Sequence, residues 1–359
     1  MDDWAPRWTA WERDNVGLQV GRADHPVRRV LVTLDVTDDV VDEAISRRAD
    51  LIVSHHPLIF RPLSSVTGAD PVSRLVLRLA ERQIALFSAH TNLDAARDGV
   101  SFALARRLDL TDLRFLAPLR TTLAKIVVFV PAGHTERVRD AMAAAGAGVI
   151  GAYENCAFTS SGSGSFRPGP DAAPFTGTPG RLESAEEVRL EMICPRARVD
   201  HVVRALRDVH PYEEVAVDIY DVQNRDPNAG MGVIGTLARA ESPSAFARRV
   251  KSRLDTRLLR MAGTGTRRVR RVAVCGGSGS DLIAEASRAG ADVFVTADVR
   301  YHTWHHLPPG LTLIDAGHWE TEQVIVPVIV QHLQAMARQQ RASLSVFHTE
   351  LITNPVRSL

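Results

Sequence analysis

Residues 51–60, LIVSHHPLIF, indicate how the first third of this chain folds. The apolar run 51–53 is typical of a buried strand, and the histidine pair and proline that follow mark its end. Similar apolar runs occur in RVLVTLDVT (29–37) and IALFSAHTNLD (84–94). Helical stretches alternate with these runs, near residues 38–48, 71–82 and 99–108. This alternation predicts an α/β domain with a mostly parallel sheet flanked by helices.

The last third of the chain returns to the same pattern. Strand-like runs open the stretches RRVAVCGGSGSD (270–281), ADVFVTADVRYH (291–302) and LTLIDAGHWETE (311–322). The first and third of these stretches lead into helices predicted at residues 282–289 and 323–336. We therefore expect residues 1–122 and 226–359 to form one α/β domain.

The middle third contains a weak internal repeat. KIVVFVPAGHTERVRDAM (125–142) resembles RLEMICPRARVDHVVRAL (189–206), and each has a strand, a proline and an amphipathic helix. With strand candidates near 156–159 and 215–220, the order becomes β-α-β-β-α-β, the ferredoxin-like arrangement. Residues 123–225 are thus predicted to be an inserted α+β domain. The Gly/Ser/Pro-rich segment 159–181 within it is predicted to be a long loop.

The overall composition is that of an ordinary globular protein, with 359 residues, 45% hydrophobic and 24% charged. Lys and Arg total 43 and Asp and Glu total 42, so the net charge of +1 argues against nucleic-acid and anionic-membrane partners. The start, MDDWAPRW, does not resemble a signal peptide, and no apolar run approaches the ~20 residues of a membrane helix. Three widely spaced cysteines, Cys156, Cys194 and Cys275, argue against a disulfide framework and favour the cytoplasm.

Histidine and acidic residues follow four of the predicted strands. They are His55 and His56, His90 and Asp94, Asp298 and His302, and His318 and Glu322. In open α/β sheets, ligands bind beyond the carboxyl ends of the strands. Because imidazole is the commonest metal ligand in proteins, this distribution predicts a metal site at that edge.

The histidine pair favours two metal ions over one. Neighbouring residues of an extended backbone point in opposite directions, so His55 and His56 would each bind a different ion. His318 and Glu322 lie four residues apart at the start of a predicted helix, on one face, and a carboxylate such as Glu322 could bridge two ions. Mixed histidine and carboxylate ligands suit zinc, iron, manganese, cobalt or nickel.

Each of these residues has a simpler interpretation when it is considered alone. The histidine pair could form a polar turn, His318 and Glu322 a surface pair, and Asp94 a helix N-cap. The metal site is favoured because all of them follow strands of one predicted sheet. For His90 and His302, orientation of a ligand, contact with a substrate and simple polar burial all remain open.

The stretch CGGSGSD (275–281) follows a strand and opens a helix. Gly276, Gly277 and Ser278 could hold a phosphate through backbone N–H groups, or the glycines could pack the helix closely on the strand. The spacing matches neither phosphate-binding glycine motif, and GGSGS does not support Ser278 as a nucleophile. These three residues and Asp298 are the candidate substrate-binding residues. The basic run RRVRR (267–271) is predicted to be an exposed strand entry.

Seven motifs, in order along nearly the whole chain, resemble those of a known family. They are DNVGLQVG (14–21), LDVT (34–37), SHHPLIF (54–60), AHTNLD (89–94), GGSG (276–279), TADVRYH (296–302) and DAGHWETE (315–322). By these motifs the chain is identified as a member of the Nif-three-like family of dinuclear metal-centre hexameric proteins, also known as GTP cyclohydrolase 1 type 2 homologues. The stretches at 151–168 and 210–220 resemble the domain inserted in its longer members, which is similar to ferredoxin-like trimers of signalling and copper tolerance.

The resemblance implies two divalent metal ions per chain, with Glu322 as the bridging ligand. The five implied ligands are His55, His56, Asp94, His318 and Glu322. It also implies a homohexamer whose metal sites face an internal cavity. TAD (296–298) stands where the family has TGD, and ELITNP (350–355) departs from the usual ending, but neither change removes a ligand.

The combined prediction is a metal-dependent hydrolase that acts on GTP or on another nucleotide or pterin-like compound. Two metal ions would lower the pKa of a shared water molecule, and the resulting hydroxide would attack an electrophilic carbon such as purine C8. His90 or His302 would carry protons. The alternative is a metal-binding regulatory or assembly protein without turnover.

Overall fold

The computed structural model describes residues 1–120, 122–263 and 268–357. The chain divides into two compact units, one of Met1–Pro118 with Asn228–Leu359 and a smaller one of Leu119–Pro227. The fold is a mixed α/β arrangement with several sheets. Across the described ranges, none of the helices has the length and apolar character needed to span a bilayer.

The strands are β1 Gly17–Val20, β2 Arg29–Thr33, β3 Leu51–Ser54, β4 Ala85–Ser88, β5 Leu110–Pro118, β6 Leu123–Pro131, β7 Phe158–Phe166, β8 Glu183–Pro195, β9 Val217–Asp221, β10 Gly230–Glu241, β11 Arg260–Gly263, β12 Val269–Ser278, β13 Val293–Ala297, β14 Thr312–Asp315 and β15 Ser345–His348. The α-helices are α1 Asp38–Ser46, α2 Pro71–Glu81, α3 Thr91–Asp94, α4 Val100–Arg107, α5 Thr135–Ala144, α6 Val199–Val209, α7 Pro243–Leu254, α8 Ile283–Arg288, α9 His318–Glu322 and α10 Val326–Gln339.

The larger unit contains two sheets, whereas the sequence predicts one mostly parallel sheet. The first has the order β1-β4-β3-β2-β15, and only β1 runs antiparallel to its neighbour. The second has the order β11-β14-β13-β12-β10-β5. In it β12, β13 and β14 are parallel, but the other three pairings are antiparallel. The prediction is wrong for the second sheet because a buried apolar run does not encode the direction of its neighbour.

Helix α4 packs against the cores of both sheets. Its residues 100–105 are all buried. Val100 and Ala103 belong to the core of the first sheet, whereas Phe102 and Leu104 belong to the core of the second. A helix that is apolar on every side must be covered on every side. Burial of α4 therefore holds the two sheets together in one unit.

The smaller unit has the chain order β6-α5-β7-β8-α6-β9. Its strands form one antiparallel sheet in the order β7-β8-β6-β9. Val138 of α5 and Leu206 of α6 share a buried core with Ile126 and Leu190 of the sheet. Both helices therefore cover the same face of this sheet.

Strand β7 corrects one prediction, because the Gly/Ser-rich residues 159–166 lie in a strand and not in a long loop. The nine residues of β7 pair in continuous register with β8. Most of their side chains are exposed. A strand that packs no side chains into a core needs no apolar pattern, so its composition does not reveal it.

Two aspartates of the larger unit fix the starts of neighbouring strands in the same way. Asp50, just before β3, accepts hydrogen bonds from the backbone N–H groups of residues 28–29, each at 2.8 Å. Asp292, just before β13, accepts hydrogen bonds from the N–H groups of residues 270–271, at 2.9 and 2.8 Å. In each sheet, a carboxylate just before one strand thus fixes where the neighbouring parallel strand begins.

Replacing Asp50 or Asp292 with alanine should lower the free energy of unfolding by about 1 kcal/mol, because two backbone N–H groups lose a charged acceptor at the protein surface. Thermal unfolding measures this change. Asp3→Ala removes an exposed carboxylate near the N-terminus and should change the free energy by less than about 0.5 kcal/mol. Equal stability of all three variants would contradict the assigned role.

Candidate metal centre

The carboxyl ends of parallel strands in the two sheets bring histidine and acidic side chains into one cluster in the larger unit. Three overlapping groups have potential ligand atoms within 4.8 Å of one another: His55, Asp94 and Glu322; His56, His318 and Glu322; and His55, His56 and His90. The structure therefore brings together all five residues that the sequence analysis assigns as ligands, with His90 beside them. Groups of this composition could bind a metal ion.

Glu322 is the residue that the first two groups share. Its Oε1 lies 3.8 Å from Nε2 of His55. Its Oε2 lies 2.9 Å from Nε2 of His56 and 3.0 Å from Nε2 of His318. Only 4% of Glu322 is exposed, so the alternative of a surface pair on α9 is wrong. The two oxygens of one buried carboxylate thus face different histidines.

Every imidazole of the cluster is oriented through its Nδ1 atom. Nδ1 of His55 donates to the carbonyl oxygen of Ala89 at 2.8 Å. The Nδ1 atoms of the other three imidazoles donate to carboxylates: His56 to Asp35 at 2.7 Å, His90 to Asp14 at 2.9 Å, and His318 to Asp298 at 2.6 Å. A carbonyl or carboxylate oxygen can only accept, so Nδ1 carries the hydrogen and Nε2 is left to bind a metal ion.

The donor atoms of the cluster fit a metal ion because two of them are buried without a hydrogen-bond partner. They are Nε2 of His55 and Oδ1 of Asp94. Buried polar atoms normally have partners, since leaving one without a partner costs about 1–3 kcal/mol. Burial also raises the pKa of Asp94 to about 7. A bound cation would satisfy both atoms.

The imidazoles and carboxylates of the cluster shift one another's pKa values. Burial lowers the pKa of His56, but hydrogen bonds to Asp35 and Glu322 outweigh burial and raise it to about 10. Glu322 and Asp298 outweigh burial in the same way and raise the pKa of His318 to about 9. Burial raises the pKa of Glu322, but the neighbouring imidazoles hold it well below its ordinary value. Glu322 is therefore ionised and paired with positive charge.

The glycines of the 275–281 stretch lie against this cluster. Gly277 has a φ of 60°, and a Cβ atom there would lie 2.1 Å from Oε1 of Glu322. Its N–H donates to the hydroxyl of Thr321, and the N–H of Gly276 donates to the hydroxyl of Ser101. These contacts match the alternative of close packing between strand and helix. Phosphate binding by Gly276, Gly277 and Ser278 stays a prediction that they do not favour.

Three further predicted residues differ in their positions. Asp298 orients His318, as described above. His302 lies exposed in the 3-10 turn Tyr301–His306, edge-on to the Tyr301 ring at 5.4 Å. It does not line the cavity beside the cluster. Asp94 ends α3, and the residue that precedes α4 is Gly99, so Asp94 is not the N-cap of that helix.

Sequence reasoning missed the roles of Asp14 and Asp35. Asp14 accepts hydrogen bonds from His90 and from the N–H and hydroxyl of Thr91. Burial raises the pKa of Asp14, but these hydrogen bonds outweigh it and lower the pKa to about 2. Both aspartates lie in stretches that carry the resemblance, DNVGLQVG and LDVT. That position was the available signal for their role.

The C-terminal segment completes the shell around the cluster. The hydroxyl of Thr353 donates to Asp35 at 2.6 Å and accepts a hydrogen bond from the indole N–H of Trp319 at 3.0 Å. Asn354 donates to Glu320 at 3.1 Å. A cavity of about 340 Å³, which Trp319 also lines, opens beside His56 and His318. The cluster is therefore reachable by a small molecule.

Comparison with known proteins gives consistent results over the whole chain. The family model described as Duf34/NIF3 (NGG1p interacting factor 3) matches residues 1–355. The chain is 42% identical to the GTP cyclohydrolase 1 type 2 homolog of Bacillus subtilis (strain 168) over 357 residues. The matched stretch covers 99% of this chain and 95% of that protein. The Mycobacterium tuberculosis (strain ATCC 25618 / H37Rv) protein of the same name is 38% identical over 362 residues, covering 99% and 94%. The crystal structure of the Bacillus cereus protein related to NIF3 matches with a TM-score of 0.85 at 39% identity, covering 100% of this chain and 96% of that one.

Asp35→Asn should weaken metal binding about 10- to 100-fold, because a neutral amide is a weaker acceptor for the Nδ1–H of His56 than the ionised carboxylate. Equilibrium dialysis against zinc or manganese measures the affinity. Asp38→Asn is the matched control, since Asp38 begins α1 and pairs with Arg74 and Arg78 instead of a histidine. An equal loss in both variants would contradict a positioning role for Asp35.

Metal uptake at pH 7.5 should release about two protons per chain. The pKa values of about 10 for His56 and about 9 for His318 mean that both are protonated at this pH, and the metal must displace those protons. Affinity should therefore rise with pH, and proton release should approach zero above pH 10. Calorimetry in two buffers of different ionisation enthalpy counts the protons.

His318→Ala should release about one to two protons fewer than the unaltered protein, because it removes one protonated imidazole and one proposed ligand of the ion that displaces the proton of His56. His302→Ala, which removes an exposed histidine that does not line the cavity, should release the same number as the unaltered protein. If proton release is unchanged in His318→Ala, this histidine is not the source.

Proposed function

Because the chain belongs to the Duf34/NIF3 family, we propose that it is a divalent-metal-dependent hydrolase with a dinuclear centre. Its relatives carry the name GTP cyclohydrolase 1 type 2 homolog. The proposed substrate is therefore GTP or another nucleotide or pterin-like compound. The cavity of about 340 Å³ beside His56 and His318 lies within the usual size range of small-molecule sites.

One observation carries this proposal: the buried carboxylate of Glu322 faces two separate groups of ligand atoms. His55, which groups with Asp94, lies 3.8 Å from one oxygen, and His56 and His318 lie within 3.0 Å of the other. A purely structural ion pair would need only one of these groups. A shared carboxylate between two groups supports a pair of ions instead.

The residues present suit zinc, iron, manganese, cobalt or nickel, because they combine imidazole with carboxylate. His55, Asp94 and Glu322 would hold one ion, and His56 and His318 would hold the second together with Glu322. Bound ions would supply Lewis acidity and would lower the pKa of water towards neutrality. Asp35, Asp298 and the carbonyl of Ala89 keep the ligand histidines in the required tautomer.

His90 is the proposed proton carrier. Its Nδ1–H donates to Asp14, so the lone pair of Nε2 is free to accept a proton from a reacting group. The ionised Asp14 stabilises the imidazolium that this transfer forms. No role is proposed for His302, because it lies exposed in the turn Tyr301–His306 and, unlike His90, does not belong to the cluster.

A metal-binding regulatory or assembly protein without turnover is the second candidate. The family's description as an interacting factor favours it, and so does the presence of a second compact unit. For this unit we propose a ferredoxin-like domain at residues 123–225, supported by its β-α-β-β-α-β order. The remaining 1–122 and 226–359 are the proposed metal-binding domain. We further propose a homohexamer in the cytoplasm, where the three free cysteines would remain reduced.

Glu322→Gln should lose metal and turnover together, because a neutral amide cannot serve two cations. Metal content is measured after reconstitution with zinc or manganese, and turnover is measured as formate released from GTP. Glu320 lines the cavity beside His56 and His318 and contacts Asn354, so the control variant Glu320→Gln should keep about two ions per chain.

The outcomes separate the candidates. Full metal content in Glu322→Gln would contradict its shared role. Two ions per chain in the unaltered protein, with no turnover of any nucleotide, would favour the regulatory candidate. No metal uptake by the unaltered protein would overturn both.

A further inference from the structure

The smaller unit contains a cavity of about 330 Å³ to which the proposed reaction assigns no role. Its lining is mostly apolar and includes four aromatic rings: Phe129, Phe166, Phe175 and Tyr212. Two prolines, Pro168 and Pro174, add further rigid apolar surface. A concave apolar pocket of this volume with a few polar groups is typical of a small-molecule site.

The charged groups of this cavity all have the same sign. They are the carboxylates of Glu187, Glu213 and Glu214, and the described residues that line the cavity include no lysine, arginine or histidine. The cavity therefore repels anions, so neither a nucleotide nor a phosphate fits it. A cation is favoured in an apolar enclosure of this kind.

Glu187 is held in a fixed position at the wall. Its Oε1 accepts a hydrogen bond from the hydroxyl of Tyr212 at 2.9 Å. Beside it, β7 has Gly164, where a Cβ atom would lie 2.3 Å from Oε2 of Glu187. The glycine thus leaves room for the carboxylate, one oxygen of which is bound to Tyr212.

The aromatic rings lie close to this carboxylate. The rings of Phe175 and Tyr212 are 6.0 Å apart and inclined by 46°. Phe175 is 56% exposed, so it stands at the mouth of the cavity. Nearby, Glu213 accepts a hydrogen bond from the N–H of Ala173 at 2.9 Å and fixes the segment that carries Phe175. Aromatic faces beside a carboxylate are the usual means of recognising organic ammonium groups.

We propose that this cavity binds a small organic cation, an ammonium group with apolar substituents, against the rings of Phe175 and Tyr212 and beside Glu187. The apolar substituents fill the space lined by Phe129, Phe166 and the prolines. A metal ion does not suit the cavity, because its three carboxylates are not among the groups of close ligand atoms found in the described residues.

The test titrates benzyltrimethylammonium into the full chain by calorimetry, with benzyl alcohol as the neutral comparison. We expect one site per chain and binding of the cation about tenfold tighter than that of the alcohol. Glu187→Gln should weaken binding of the cation about tenfold and leave binding of the alcohol unchanged. Glu136→Gln removes an exposed carboxylate of α5 in the same unit and should change neither.

Phe175→Ala provides a second variant that the fold tolerates, because this side chain is more than half exposed. This variant should bind the cation severalfold more weakly than the unaltered protein. Equal affinity for cation and alcohol would overturn the proposal, and so would an unchanged affinity in both Glu187→Gln and Phe175→Ala. An equal loss in Glu136→Gln would show that only the general charge of the unit attracts the probe.

Discussion

Burial of an ionised carboxylate is the constraint on which the rest of the larger unit depends. Glu322 lies almost completely out of contact with solvent, where an uncompensated charge would be very costly. Three imidazoles surround it, and each is itself held by an acceptor at Nδ1. Gly277, which has no Cβ atom, leaves room for the carboxylate of Glu322. Charge compensation at one side chain thus fixes the identity of residues on both sheets.

The fold was predictable where local pattern determines it. Apolar runs located β2, β3, β4, β13 and β14, since each is buried on both faces. The division into two sheets was not predictable, because it depends on how α4 distributes its side chains between two cores. Strand β7 was hidden for the opposite reason, since it packs few side chains and is held mainly by backbone pairing.

The candidate site was predictable as far as strand ends revealed it. His55, His56 and His318 follow strands directly, so topology alone brought them to one edge. Asp14 and Thr353 escaped notice because they lie far from any strand end in the predicted pattern. Their contacts with His90 and Asp35 arise only when distant segments of the chain meet. Sequence reasoning located the residues of the cluster and missed the role of Asp14 and Asp35, which orient its imidazoles.

The contact between Thr353 and Asp35 joins residues 318 positions apart, and β15 pairs with β2 over a similar separation. Such long-range pairing makes folding slow, because a large loop must close, with a loss of chain entropy, before the contacts between its ends can stabilise the fold. A nascent chain cannot assemble the cluster until Glu322 has left the ribosome, although His55 and His56 emerge much earlier. During that interval His55 and His56 lack the carboxylate of Glu322. Assembly of the cluster is therefore a late event in the biogenesis of the protein, after the sheets have closed.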